Sequence, residues 1–92
     1  MLAATLDPDG RRVVLTEERW RHILGEHPEM AQHMRSVMTA VREPTLRLSG
    51  EDPGEEYYYV EGDGPSRWVK AAVHFEGGKG RIITAFPRRS VP

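Results

Sequence analysis

Apolar residues recur along this chain with two different periods, and the change falls near Pro44. Before it, Trp20, Ile23 and Leu24 stand at i, i+3 and i+4, with His27 next on the stripe at i+7, the spacing of one helix face. Thr16 is a suitable N-cap, and Glu17 and Glu18 follow where the positive end of the helix dipole favours acids. These signals predict a first helix over residues 17–26. Pro28 cannot continue that helix but is preorganised to open another, so Met30, Met34, Val37, Met38 and Val41 predict a second helix over 28–42. Pro44 then ends it, because the residue before a proline is pushed out of the α region.

After Pro44 the period falls to two. Residues 45–48, 55–61 (EEYYYVE), 67–75 (RWVKAAVHF) and 81–86 (RIITAF) read as four strands, separated by the turn-rich stretches 50–54, 62–65 and 77–80. An earlier stretch, RRVVL at 11–15, reads as a short strand or extended lead-in after the turn Asp7-Pro8-Asp9-Gly10. The expectation is an α+β fold, two N-terminal helices packed on one face of a roughly four-stranded antiparallel sheet, in a single domain covering 1–92 with its core within 13–87. On the third of the four strands Val69, Ala71, Val73 and Phe75 share the face that meets the helices, which leaves Trp68, Lys70, Ala72 and His74 on the open one. In the last strand Ile82, Thr84 and Phe86 alternate with Arg81, Ile83 and Ala85, and the sequence leaves open which row joins the open face.

Charge changes the picture more than size does. A net charge of −1 conceals an acidic run of six carboxylates over residues 51–65, followed over 66–92 by six bases (Arg67, Lys70, Lys79, Arg81, Arg88, Arg89) against Glu76 alone. Phosphate affinity follows local charge, so the C-terminal third has the balance of a nucleic-acid-binding surface or of a solvated basic tail. With no cysteine, neither disulfides nor thiolate metal sites arise. No apolar run approaches the roughly 20 residues of a membrane span, and MLAATLDPDG lacks a basic n-region, so the expectation is a cytoplasmic chain with no membrane partner.

Chemistry narrows to two groups. His22 and His27, five apart, would lie about 140° apart on a continuous helix and could not chelate a metal as an i, i+4 pair does; no metal and no cofactor are expected. His27 in the sequence His27-Pro28-Glu29 either serves as a general acid or base, or caps the second helix and fills the edge of the Trp20 stripe. The second group is the cationic set Lys70, His74, Arg81, Arg88 and Arg89 on and after the late strands. Cleavage of RNA by attack of the 2′-hydroxyl requires a base, an acid and a cation for the phosphorane charge, which His, Lys and Arg can supply. Thr84 and the tyrosines at 57, 58 and 59 could add hydrogen bonds, and Trp68 or an exposed tyrosine could stack on a base.

The order of elements, with the strings RWRHILGEHPEM, YYYV, RWVKAAVHF and RIITAF, resembles the phage-associated branch of the barnase, EndoU, colicin and RelE (BECR-fold) ribonucleases, and is similar to RelE-type and BrnT-type toxins. The resemblance spans about residues 13–87. It implies a metal-independent endoribonuclease, a toxin or phage-associated nuclease, with RNA as substrate and an antitoxin or inhibitor protein as partner. It also implies catalytic roles for His27, His22, Lys70 and Thr84 and substrate contacts from Arg81, Arg88, His74 and Trp68. Phe86 departs from the pattern, standing where a tyrosine is usual. The rival readings are a non-catalytic nucleic-acid- or protein-binding module of the same fold, and an interaction domain whose tyrosine row is a homodimer edge.

Overall fold

The Asp7-Pro8-Asp9-Gly10 turn joins two strands, not one. In the computed structural model, which describes residues 1–92, β1 (Ala3–Leu6) pairs antiparallel with β2 (Arg12–Leu15) from Ala3–Leu15 to Leu6–Arg12. The turn is held by Asp7, whose Oδ1 accepts the backbone N–H groups of Asp9 at 3.0 Å and Arg11 at 2.9 Å, and Gly10 supplies the positive φ of 81° that closes it. Ala-Ala-Thr-Leu has little strand preference of its own, so β1 takes its conformation from its partner.

The first helix, α1, runs Glu17–Glu26 as its caps and stripe predict, with Thr16 Oγ1 accepting the Arg19 N–H at 3.1 Å and Trp20 and Ile23 buried. The second helix does not run from Pro28 to Arg42. Pro28–Met30 forms a 3₁₀ turn, and the α-helix α2 covers only Met34–Arg42. Between them the chain makes i→i+3 bonds, Ala31 N–H to Pro28 O and His33 N–H to Met30 O. Ala31 and Gln32 are exposed, so no tertiary contact there selects the wider α turn. Met30 still reaches the core, fully buried, as do Val37 and Val41 on α2.

The sheet has six strands and is mixed, in the order β1-β2-β6-β5-β4-β3, with β3 Leu46–Ser49, β4 Glu55–Glu61, β5 Trp68–Glu76 and β6 Lys79–Arg88. The expected four antiparallel strands, β3 to β6, form four of the six. The N-terminal hairpin adds the other two, so the helices lie between β2 and β3 and are not N-terminal. β2 joins β6 in parallel at Val13–Gly80 and Val14–Arg81. Gly77 and Gly78, at φ +59° and +79°, make the two-residue hairpin between β5 and β6. Sixteen of the 18 buried apolar residues form one cluster, drawn from β2, both helices, Met30 and the helix-facing rows of β4, β5 and β6, and the other two, Tyr59 and Ala72, lie on the opposite face. No helix is long and apolar enough to cross a membrane.

Gly80 is where the parallel pairing closes on the core. A Cβ there would stand 2.6 Å from the Phe75 ring, 2.9 Å from Val13 Cγ2 and 3.0 Å from Val73 Cγ1. Gly80→Ala should therefore destabilise the protein by about 1–3 kcal/mol through overpacking, read as a lower denaturation midpoint at unchanged m-value. An unchanged midpoint would show that β2 can move off β6 without loss.

Beyond Arg81, β6 has no strand on its β2 side, and α1 lies along that free edge. The Arg19 guanidinium donates to the Ile83 carbonyl from Nε at 2.9 Å and from a terminal nitrogen at 2.7 Å. This satisfies a carbonyl left by the missing ladder and anchors the first turn of α1 on β6.

Candidate functional site on the open sheet face

Pairing across β5 and β6 fixes which side chains share the face away from the core. Trp68 stands opposite Arg88, Lys70 opposite Phe86, Ala72 opposite Thr84 and His74 opposite Arg81. The register shifts by one residue between Ala72 and Val73, so that Val73 meets Ile82 and Ile83 is the extra residue of a bulge. Neither of the two alternating rows read from RIITAF therefore faces one way throughout. The bulge puts Ile82 and Ala85 in the core and Arg81, Thr84, Phe86 and Arg88 together on the open face. On β5 the expected division holds, with Val69, Ala71 and Val73 fully buried among the helix-facing residues and Lys70 and His74 on the other side.

Phe86 joins the two candidate catalytic groups. His27 ends α1, and its imidazole stacks on the Phe86 ring with centroids 5.3 Å apart and planes inclined by 25°. It makes no capping bond to the turn that follows, so the capping role read from His27-Pro28-Glu29 does not apply. Its Nδ1 lies 3.9 Å from a carboxylate oxygen of Glu29. The Lys70 ammonium lies 5.4 Å from the centroid of the same Phe86 ring, 3.7 Å over the ring of Tyr57 and 5.8 Å from that of Tyr59. Burial among these rings pushes the Lys70 ammonium below its ordinary pKa, and the nearby Arg88 charge adds to the shift. The side chain is thus a poised cation with a proton held less tightly than a free lysine's.

The face is also a place where cations lack anionic partners. Arg11, Arg21, Arg42, Arg47 and Arg67 each sit within 4.0 Å of a carboxylate. Lys70, Lys79, Arg81 and Arg88 on this face do not, and neither do Arg12, Arg19, Arg35 and Arg89; Glu51 and Glu55 act on Lys70 only at longer range. Unpaired cations beside aromatic rings attract anions that also carry flat groups.

The other expected site residues divide by position. Thr84 and Arg88 flank Phe86 on β6 and Trp68 stands opposite Arg88, so these three join His27 and Lys70. Arg81 and His74 lie at the opposite end of the same face, where with Val14, Glu76, Lys79 and Gly80 they line a depression of about 400 Å³. His22 pairs with Glu26 at 2.9 Å, and no hydrogen bond, ion pair or ring contact joins it to the cluster. The three tyrosines do not act as one row: Tyr57 is partly exposed on the open face, Tyr59 is buried there, and Tyr58 is buried on the helix side.

Sequence reading missed the polar cluster that locks the N-terminal turn to the sheet. The fully buried Asp7 carboxylate accepts from Arg11 at 2.8 Å and from the Tyr58 hydroxyl at 2.8 Å. Arg11 and Arg47 both bond Glu56, Arg47 reaches Asp9 at 2.7 Å, and the Arg11 guanidinium lies 3.6 Å over Phe75. Burial alone would raise the Asp7 pKa, but the hydrogen bonds from Arg11 and Tyr58 outweigh it and hold the carboxyl below the usual range. The signal in sequence was Asp7 opening an Asx turn, which did not tell that the turn folds back against β3 and β4. No group of three or more His, Asp or Glu side chains is arranged to hold a metal ion. Comparison with protein-family models, curated proteins and solved structures finds no match to this chain.

Proposed function

We propose that this chain is a metal-independent endoribonuclease of the BECR type, with its site on the open face around Phe86. The carrying observation is that His27, from the end of α1, and Lys70, from β5, meet the same Phe86 ring from different elements. The unpaired Arg88 stands beside them. In this reading the His27 imidazole takes the proton of a ribose 2′-hydroxyl, and the oxygen forms a bond to the adjacent phosphorus. The bond from phosphorus to the 5′-oxygen breaks, and that oxygen takes a proton from the Lys70 ammonium, whose lowered pKa favours the transfer. The products are a 2′,3′-cyclic phosphate and a 5′-hydroxyl. His27 returns its proton to Lys70 through solvent, so no acid or base is consumed.

Arg88 holds the non-bridging oxygens as charge develops, and Thr84 orients them by a hydrogen bond. Tyr57 and Trp68 offer ring faces to the flanking bases. Such a nuclease acts in the cytoplasm, and an antitoxin or inhibitor protein would silence it by covering this face. One feature favours a second reading, a binding module without turnover: Phe86 presents a hydrocarbon edge to the phosphate where a tyrosine would present a hydroxyl.

Labelled RNA incubated with the purified protein in EDTA separates the two. The enzyme should release fragments ending in cyclic phosphate, and His27→Ala, Lys70→Ala should not. Intact RNA with the unaltered protein, or equal cleavage by the double variant, would sink the nuclease reading.

A further inference from the structure

The depression at the far end of the open face contains two unpaired cations that the cleavage chemistry does not use. Arg81 and Lys79 have no carboxylate within 4.0 Å, Arg81 is exposed, and His74 stands opposite Arg81 in the ladder. Glu76, the one acid lining it, is the cross-strand neighbour of Lys79, and Glu55 stands opposite His74. Between this group and Lys70 the only β5 residue on the open face is Ala72. Ala72 contributes only a methyl group, with Thr84 beside it on β6 and the Tyr57 ring beside it on β4.

Lys70 and His74 are four residues apart on one strand, about 13 Å at the rise of an extended chain. A stacked nucleic-acid strand advances about 3.4 Å per phosphate and an unstacked one advances further, so the interval holds at most about four nucleotides. Bases could lie against Trp68, or against the face of Tyr57 that Lys70 leaves free, only where they are not already paired and stacked within a helix, because a duplex hides its base faces.

We infer that the open face is a track for single-stranded RNA in which Arg81, His74 and Lys79 form a second phosphate subsite, within about four nucleotides of the Lys70 end. This rests on the nuclease reading for the nature of the ligand but not for turnover. It makes affinity depend on length: a strand too short to reach the depression uses the Phe86 end alone.

The test uses 2′-O-methyl oligouridylates of two and six nucleotides, which cannot be cleaved, titrated into the folded protein by calorimetry and by amide-resolved NMR. The hexamer should bind at least tenfold more tightly than the dimer, and only the hexamer should shift the amides of His74 and Arg81. Arg81→Ala and His74→Ala should each reduce that length advantage while leaving dimer affinity within twofold. Arg81→Ala should also lower the slope of log affinity against log salt for the hexamer by about 0.7, the loss of one phosphate contact. Equal affinity of the two lengths, or an Arg81→Ala protein that binds the hexamer as the unaltered protein does, would overturn the subsite. Equal binding of a hexamer duplex would overturn the single-strand preference. Length-dependent binding without cleavage of natural RNA would leave the track standing and remove the catalysis. Cleavage without length dependence would do the reverse, and no binding by either oligomer would overturn both.

Discussion

Replacing Asp7 by Ala should destabilise the fold by about 3 kcal/mol, a large share of the roughly 5–15 kcal/mol that holds a small domain together. The carboxylate is fully buried and serves Arg11, the Tyr58 hydroxyl and two backbone N–H groups at once. Removing it leaves a buried phenol without an acceptor and two turn amides unsatisfied. The loss stays toward the lower end for a broken buried ion pair because Arg11 keeps Glu56. Asp7→Asn should lose less, since the amide oxygen can still accept the turn N–H groups. Urea denaturation of the three proteins at neutral pH measures the series, and an Asp7→Ala protein within 1 kcal/mol of the unaltered one would show that the cluster relaxes around the gap.

The same cluster sets a dependence on pH at both extremes. The Asp7 pKa is lower in the folded chain than in the unfolded one, so its contribution is present above the unfolded value of about 3.9 and is lost as pH falls through the folded value. Tyr58 works in the opposite direction. Burial and then its bond to Asp7 push the phenol well above its ordinary pKa. Its contribution is therefore present below about pH 10 and is lost as pH rises beyond that. Tyr58→Phe should flatten the alkaline limb of a stability-against-pH curve while lowering the neutral plateau, because it removes the titrating group and one hydrogen bond together. An alkaline limb unchanged in Tyr58→Phe would assign it to other groups.

The sequence carried local structure further than tertiary structure. The first helix was legible to its ends because its cap, first-turn acids and apolar stripe agree. The second was legible as an apolar face, but nothing between Met30 and Met34 indicated the 3₁₀ turn, since the spacing of buried residues is nearly the same in either winding. β1 was invisible because pairing with β2 supplies what Ala-Ala-Thr-Leu lacks. The parallel joint of β2 to β6 depends on a contact across most of the chain, with Gly80 as its only local trace. For the site, His27 and Lys70 stood out by type and place, and the open face of β5 followed from alternation. The bulge at Ile83 did not, and it is what puts Arg81 on the same face as Thr84 and Phe86. Phe86 was legible only as a departure from the expected tyrosine, whereas in the fold it is the surface that His27 and Lys70 share.

That shared ring makes the roles of His27 and Lys70 separable by rate. His27→Ala should lower kcat by about 10²–10⁴-fold, the usual contribution of a positioned acid or base, with KM changed little, because the imidazole is asked to act on a proton and not to hold a phosphate. Lys70 carries both a charge and a transferable proton, and two substitutions part them. Lys70→Met should raise KM and lower kcat together, since it removes the cation from the phosphate as well as the acid. Lys70→Arg keeps the charge, but a guanidinium does not release its proton in a protein, so KM should recover toward that of the unaltered enzyme while kcat stays depressed. A further control acts at the leaving group. A substrate whose 5′-oxygen is replaced by sulfur no longer needs protonation to depart, so it should restore turnover to Lys70→Arg and leave His27→Ala impaired. If Lys70→Arg cleaved natural RNA at the full rate, Lys70 would be a phosphate anchor only, and the acid would have to be sought elsewhere on the same face. If the sulfur substrate rescued His27→Ala instead, the two residues would exchange roles, with the imidazolium protonating the leaving oxygen and the Lys70 amine, already disposed by burial to lose its proton, taking that of the 2′-hydroxyl.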